Sequence, residues 1–206
     1  MTLTVDDVMT LAPVIPVLVI DRASDAAPLA TALVAGGLPA LEVTQRTPAA
    51  LGAIRAMADV PGAAPGAGTI LTADDARRAA DAGARFLVSP GLSDAVVRIA
   101  ADLGLPLLAG VATATEIMRG LDLGLTRFKF FPAETSGGAR ALAAFGGPFA
   151  HVRFCPTGGI TPANAPDYLA LPNVACVGGS WLAPRASVAS GDWVGITSLA
   201  QAAPQR

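Results

Sequence analysis

The 206-residue chain has one lysine, one histidine and two cysteines, and each scarcity removes a class of function. A single histidine, His151, leaves no His-cluster metal site and no mechanism that needs two imidazoles. Cys155 and Cys176 are too few for a disulfide scaffold and are not spaced as a metal knuckle, so both read as reduced core thiols. Charge is scarce too: charged residues make up 15% of the chain, the net charge is -2, and no run of basic residues occurs. Nucleic acid and anionic membrane surfaces need clustered Lys/Arg, so neither partner is expected. A small anionic substrate is all that so few cations could meet. The N-terminus carries Asp6 and Asp7 ahead of an apolar segment broken by Pro13 and Pro16. It has neither the basic start of a signal peptide nor a membrane-spanning length, and a cytoplasmic location is expected.

What is present is apolar. Hydrophobic residues make up 52% of the chain, which suits one domain around a well-buried core. Short β-branched runs alternate with alanine-rich stretches of helical period, without a linker, to the C-terminus. The pattern predicts strands near Val14 to Ile20, Ala40 to Thr44, Ala64 to Gly68, Arg85 to Ser89, Pro106 to Gly110, Arg127 to Phe131, Val152 to Pro156 and Val174 to Gly178. Further helices are expected near residues 4–11 and 192–203, before and after the barrel region at about 13–185. Thr113 with Glu116 reads as a capping box, Thr161-Pro162 as a helix start, and Gly36-Gly37, Gly83 and Gly104 as helix stops. Strands joined by one helix each are parallel with right-handed crossovers, and such units most readily close into a (β/α)8 TIM barrel in a single domain. Roughly 22 residues per unit is compact for a fold of about 250 residues, so an open doubly wound sheet is the alternative.

Polar residues concentrate at the predicted strand ends. The lone lysine, Lys129, stands in the run Arg127-Phe128-Lys129-Phe130-Phe131-Pro132. An ammonium among phenylalanines is costly to keep charged, and a lysine that spends time as a free amine attacks carbonyl carbon, so Schiff-base chemistry is the first hypothesis. A lysine at a strand end can also simply snorkel to water. Alternation puts Glu42 and Thr44 on one strand face and Leu41 and Val43 on the other, with Lys129 beside Arg127 and Phe131 and with Phe128 and Phe130 facing outward. An interior Glu42 is either a proton carrier or the partner of a cation. Arg46 can grip a carboxylate with its planar fork. The pairs Gly158-Gly159 and Gly178-Gly179, with Thr157 before one and Ser180 after the other, suit a phosphate seat built from backbone amides and following helix N-termini. Gly-Gly pairs also merely turn chains. His151 begins a strand and belongs to the opposite, stability face of the barrel.

At this point the residues resemble a known family, the 2-keto-3-deoxy-6-phosphogluconate (KDPG) aldolases and the 4-hydroxy-2-oxoglutarate aldolases of the same fold. The resemblance runs from about Pro13 to the C-terminal helix. It is carried by LEVTQRT (Leu41 to Thr47), GAGT (Gly66 to Thr69), SPG (Ser89 to Gly91), FKFFPAE (Phe128 to Glu134), RFCPTGGI (Arg153 to Ile160) and GGSWL (Gly178 to Leu182). It implies that Lys129 forms the Schiff base and that Glu42 accepts and donates protons. It also implies that Arg46, Thr69 and Pro90 surround the pyruvyl portion with Phe131 beside it, and that Gly158, Gly159, Gly179 and Ser180 hold the phosphate. Thr157 would then lie near the hydroxyls that set stereochemistry. The implied reaction is reversible cleavage of a phosphorylated keto acid to pyruvate and D-glyceraldehyde 3-phosphate, by a homotrimer, with no metal or organic cofactor. Gln45 departs from the commoner hydrophobic residue, and a packing consequence is expected.

Other readings remain at the level of sequence. The preferred substrate could be KDPG, its galactonate epimer or 4-hydroxy-2-oxoglutarate. A metal-dependent pyruvate aldolase would activate an enolate with a divalent cation, against which the single histidine weighs. A non-catalytic sugar-phosphate-binding barrel would bind through the glycine pairs without turnover.

Overall fold

The computed structural model describes residues 3–204. Eight parallel strands alternate with helices: β1 Val14–Leu18, β2 Ala40–Thr44, β3 Ala64–Gly68, β4 Leu87–Val88, β5 Leu107–Val111, β6 Arg127–Phe130, β7 Arg153–Pro156 and β8 Val177–Gly179. The strands run in the order β7-β6-β5-β4-β3-β2-β1-β8. Parallel bridges between Phe154 and Val174 and between Thr157 and Gly178 join the two ends, so the sheet is a nearly closed (β/α)8 barrel and the open-sheet alternative falls away.

The helices are α1 Val5–Thr10, α2 Ala26–Ala35, α3 Ala50–Ala58, α4 Ala73–Asp81, α5 Asp94–Asp102, α6 Ala114–Asp122, α7 Gly138–Phe145, α8 Ala165–Leu169, α9 Arg185–Ser190 and α10 Trp193–Gln201. Thr113 and Glu116 form the expected capping box on α6. Thr4 with Asp7 on α1 and Thr72 with Asp75 on α4 do the same with aspartate in place of glutamate. Gly83 and Gly104 end α4 and α5 with φ of 91° and 64°, a conformation glycine enters without steric cost. Thr161-Pro162 does not start a helix. Thr161 and Asn164 exchange hydrogen bonds across a turn, and α8 begins only at Ala165.

The last strand also departs from expectation, being regular only over Val177–Gly179. Val174 bridges Phe154 of β7, while regular pairing with β1 begins at Val177 opposite Val14. On the β7 side Phe154 bridges Val174 and Thr157 bridges Gly178, three steps against four, so one extra residue interrupts that ladder.

Two apolar layers follow from strand alternation. Outward residues such as Leu41, Val43, Phe128, Phe130 and Phe154 pack under the helices. Inward residues at the N-terminal end of the barrel, including Ile15, Ala40, Phe86, Leu108, Cys155 and Cys176, pack with Val8 and Met9 of α1. Helix α1 thus plugs that end, and Arg127 ties it down through Nε to Asp6 Oδ1 at 2.5 Å. His151 is exposed at the same end, immediately before β7.

Candidate active site

At the C-terminal end of the barrel the interior becomes polar. On β6 the inward face reads Arg127, Lys129, Phe131 from bottom to mouth, and on β2 it reads Ala40, Glu42, Thr44. Lys129 Nζ lies 3.0 Å from Glu42 Oε1 and 3.4 Å from Oε2. The two side chains are 5% and 4% exposed, so this is a contact in the barrel interior rather than a surface ion pair. Room for it comes from glycine: a Cβ on Gly68, next to Glu42, would collide with the Glu42 carboxylate.

The burial of Lys129 does not come from the phenylalanines on either side of it. Phe128 and Phe130 point into the outer layer, with Phe130 edge-on to Phe145 and Phe154. Only Phe131 approaches, its ring centroid 5.0 Å from Nζ, within range of a cation–π contact. Glu42, too, pairs with Lys129 and not with Arg46, which is exposed and makes no ion pair among the described residues.

Above the pair opens a cavity of about 240 Å³ lined by Val17, Arg46, Phe131, Thr157, Gly158, Gly159, Ile160, Gly178 and Ser180. Val17 stands opposite Glu42 in the β1–β2 register, and Phe131 shares a face with Lys129, so the pair lies directly beneath these lining residues. Val17 and Ile160 escaped the sequence reading because they are ordinary apolar residues with no chemical signature. Gly178, not Gly179, lines the wall beside Ser180. Alternation turns Gly179 the other way, against the Trp181 ring, whereas a Cβ on Gly178 would strike Thr157 Oγ1.

Thr69 and Pro90 are not among the residues lining this cavity. Thr69 borders a neighbouring cavity of about 220 Å³ with Gln45, Thr47 and Asp75. Its φ of 63° puts a β-branched residue in the left-handed region. Holding it there costs on the order of 1–3 kcal/mol, a strain usually found where geometry serves a site. Pro90 packs its backbone against Gly110, the residue opposite Lys129 on β5. Gln45 faces away from Glu42 and donates from Nε2 to the Asp75 backbone oxygen at 3.3 Å, tying the loop after β2 to α4.

The loop after β7 has a consistent backbone orientation. The carbonyl of Thr157 accepts from the Ala133 N–H at 2.8 Å, and that of Gly158 from the Glu134 N–H at 3.1 Å. The carbonyl of Gly159 accepts from Asn164 Nδ2 at 3.1 Å. A trans peptide points its N–H opposite to its C=O. Three successive amide protons, on Gly158, Gly159 and Ile160, are therefore turned away from these donors, and none has an acceptor among the described residues. With all three residues on the cavity wall, this is a concave amide nest suited to an anion. Helix dipoles were expected to assist, but α8 starts at Ala165 and α9 at Arg185, several residues beyond each glycine pair. Loop amides remain as the donors. Among the described residues no three His, Cys, Asp or Glu side chains gather as a metal-binding group.

A parallel barrel whose C-terminal mouth holds one buried amine against a carboxylate, under an anion-suited loop, defines an aldolase-type barrel enzyme. The chain belongs to the KDPG and KHG aldolase family, whose profile matches residues 5–199. It is 51% identical over 199 residues to the KHG/KDPG aldolase of Escherichia coli K12, covering 96% of this chain and 93% of that protein. Among solved structures it is similar to the 2-keto-3-deoxy-6-phosphogluconate aldolase of Zymomonas mobilis ZM4 with 3-phosphoglycerate (56% identity, TM-score 0.91, 96% of this chain and 93% of that one). It is also similar to the KDPG aldolase of Legionella pneumophila with pyruvate captured as a covalent carbinolamine (45% identity, TM-score 0.94, 97% and 98%).

Proposed function

We propose that this aldolase cleaves 2-keto-3-deoxy-6-phosphogluconate reversibly to pyruvate and D-glyceraldehyde 3-phosphate through a Schiff base on Lys129. The observation that carries the reading is the buried Lys129–Glu42 contact at 3.0 Å beneath a cavity walled on one side by amide donors. The proton that Lys129 must lose before attack has a recipient already in hydrogen-bond contact. Lys129 then adds to the carbon 2 ketone, and the carbinolamine loses water to an iminium, which withdraws electrons as the bond between carbons 3 and 4 breaks. Glu42, directly or through water, takes the carbon 4 hydroxyl proton. Glyceraldehyde 3-phosphate departs, and the pyruvate enamine is protonated at carbon 3 and hydrolysed. Arg46 on the carboxylate and the Gly158–Gly159 loop with Ser180 on the phosphate would hold the two ends of the substrate, an orientation effect that reaches several kcal/mol. Thr69 and Pro90 would act from the flanks of the pyruvyl site, and Thr157 would face the substrate hydroxyls.

Phosphate monoesters do not cross membranes unaided, so a phosphorylated substrate supports a cytoplasmic location. Family resemblance supports a homotrimer. A solution mass near three times the 20.5 kDa chain is expected by light scattering, and a monomer would overturn that assignment.

Trapping tests the mechanism. Pyruvate with borohydride should inactivate the enzyme irreversibly and add one reduced pyruvyl group at Lys129, because reduction of the iminium leaves a secondary amine that cannot hydrolyse, whereas pyruvate held without a covalent bond would be reduced to lactate and released. Mass spectrometry is unambiguous with one lysine in the sequence. Label confined to the N-terminal amine, or none, would remove Lys129 from the chemistry; turnover abolished by EDTA would favour metal activation.

A further inference from the structure

The chain has a single tyrosine, Tyr168 on α8, which is 1% exposed and plays no part in the chemistry above. Its hydroxyl donates to Glu134 Oε1 in a short hydrogen bond. Burial first, and the Glu134 carboxylate second, push its phenol well above the usual tyrosine range, so it stays a donor at any physiological pH.

Glu134 lies five residues after Lys129, and its own backbone is part of the amide nest's support. Its N–H fixes the Gly158 carbonyl at 3.1 Å. Its Cβ and Cγ lie where a side chain on Gly159 would be, 2.7 and 2.5 Å from that absent Cβ. Asn164, at the start of the same helix as Tyr168, fixes the Gly159 carbonyl. A trans peptide turns its N–H wherever its carbonyl is not, so whatever holds these carbonyls aims the amides.

We propose that Tyr168 and Glu134, with Asn164, are positioning residues that set the orientation of the Gly158–Gly159–Ile160 amide nest and thereby the enzyme's preference for a phosphorylated substrate. The proposal rests on the functional reading above. Neither Tyr168 nor Glu134 lines the cavity, so each acts through the loop. The Tyr168 hydroxyl anchors Glu134 from the buried side; Glu134 then holds Gly158 by its backbone and packs against Gly159 by its stem. Without the anchor the loop gains rotational freedom, and its amides must be ordered when phosphate arrives.

Tyr168→Phe keeps the ring and removes only the donor. Loss of a hydrogen bond to a charged group is worth about 1.5 kcal/mol or more, roughly tenfold in binding. The Michaelis constant for 2-keto-3-deoxy-6-phosphogluconate should therefore rise about tenfold with kcat within twofold, while the rate of pyruvate trapping at Lys129 stays unchanged. Glu134→Ala should reproduce the effect, and Glu134→Gln, which still accepts from the phenol, should largely restore the wild-type constant. Equal losses in substrate affinity and pyruvate trapping would reduce the pair to a general structural role, and no change in either would also overturn the proposal. A wild-type enzyme that traps no pyruvate is a separate outcome, which removes the Schiff-base reading itself.

Discussion

Lys129→Arg is expected to leave a folded protein with less than about one part in 10^4 of wild-type cleavage, since removing a covalent nucleophile can cost on the order of 10^6 in kcat. Arginine keeps the positive charge opposite Glu42, and its fork can satisfy the carboxylate, so the buried contact survives in altered form. Guanidinium does not lose its proton in the accessible range and cannot form an imine. The substitution therefore separates charge from nucleophilicity. Steady-state cleavage, pyruvate trapping and thermal unfolding should be measured together. Loss of both activities with a melting transition close to wild type supports the assignment, whereas cleavage above a few per cent of wild type would show that the amine is not the covalent group. The arginine side chain is longer, and the interior contact at 3.0 Å leaves little slack, so a modest fall in melting temperature is expected.

The sequence was most informative where a period governs the side chain. Alternation along Leu41-Glu42-Val43-Thr44 separates a core face from a site face, and the structure puts Leu41 and Val43 under the helices and Glu42 against Lys129. The same rule turns Phe128 and Phe130 outward, which is why their nearness in sequence to Lys129 said little about its surroundings. Beyond the last strand residue the period lapses. Thr69 leaves β3 with a left-handed φ and borders a separate cavity, and Asn164 rather than Thr161-Pro162 precedes α8. Gly178 and Gly179 are identical in chemistry, so only register decides which of them faces the cavity. Glu134 was visible inside a motif but carried no role, because its backbone contact to Gly158 and its bond to Tyr168 depend on two loops meeting. A lone tyrosine in a chain with few aromatics was a signal that sequence alone could not attach to a partner.

Glu42→Gln keeps the side chain's shape and an oxygen that can still accept from Lys129, but it removes the basicity. Truncating one member of a buried ion pair can cost about 3–5 kcal/mol, and the retained hydrogen bond should hold the loss below that range. A thermal melt confirms that the variant is folded before its rates are read. Aldol cleavage should fall roughly 100-fold or more, the scale of a lost general acid–base group. Cleavage alone does not say which proton Glu42 moves, since both the carbon 4 hydroxyl and carbon 3 of the enamine exchange protons during turnover. Exchange of the pyruvate methyl protons with solvent deuterium isolates the second: it needs the iminium and proton transfer at carbon 3, and no aldehyde. If one carboxylate serves both positions, exchange and cleavage fall together while borohydride still traps pyruvate on Lys129, more slowly than in the wild type. Among the described residues Glu42 is the one acidic side chain paired with Lys129, so no other carboxylate stands beside the amine to divide the work. Exchange at the wild-type rate would confine Glu42 to holding Lys129 in place and would assign the carbon 3 proton to water.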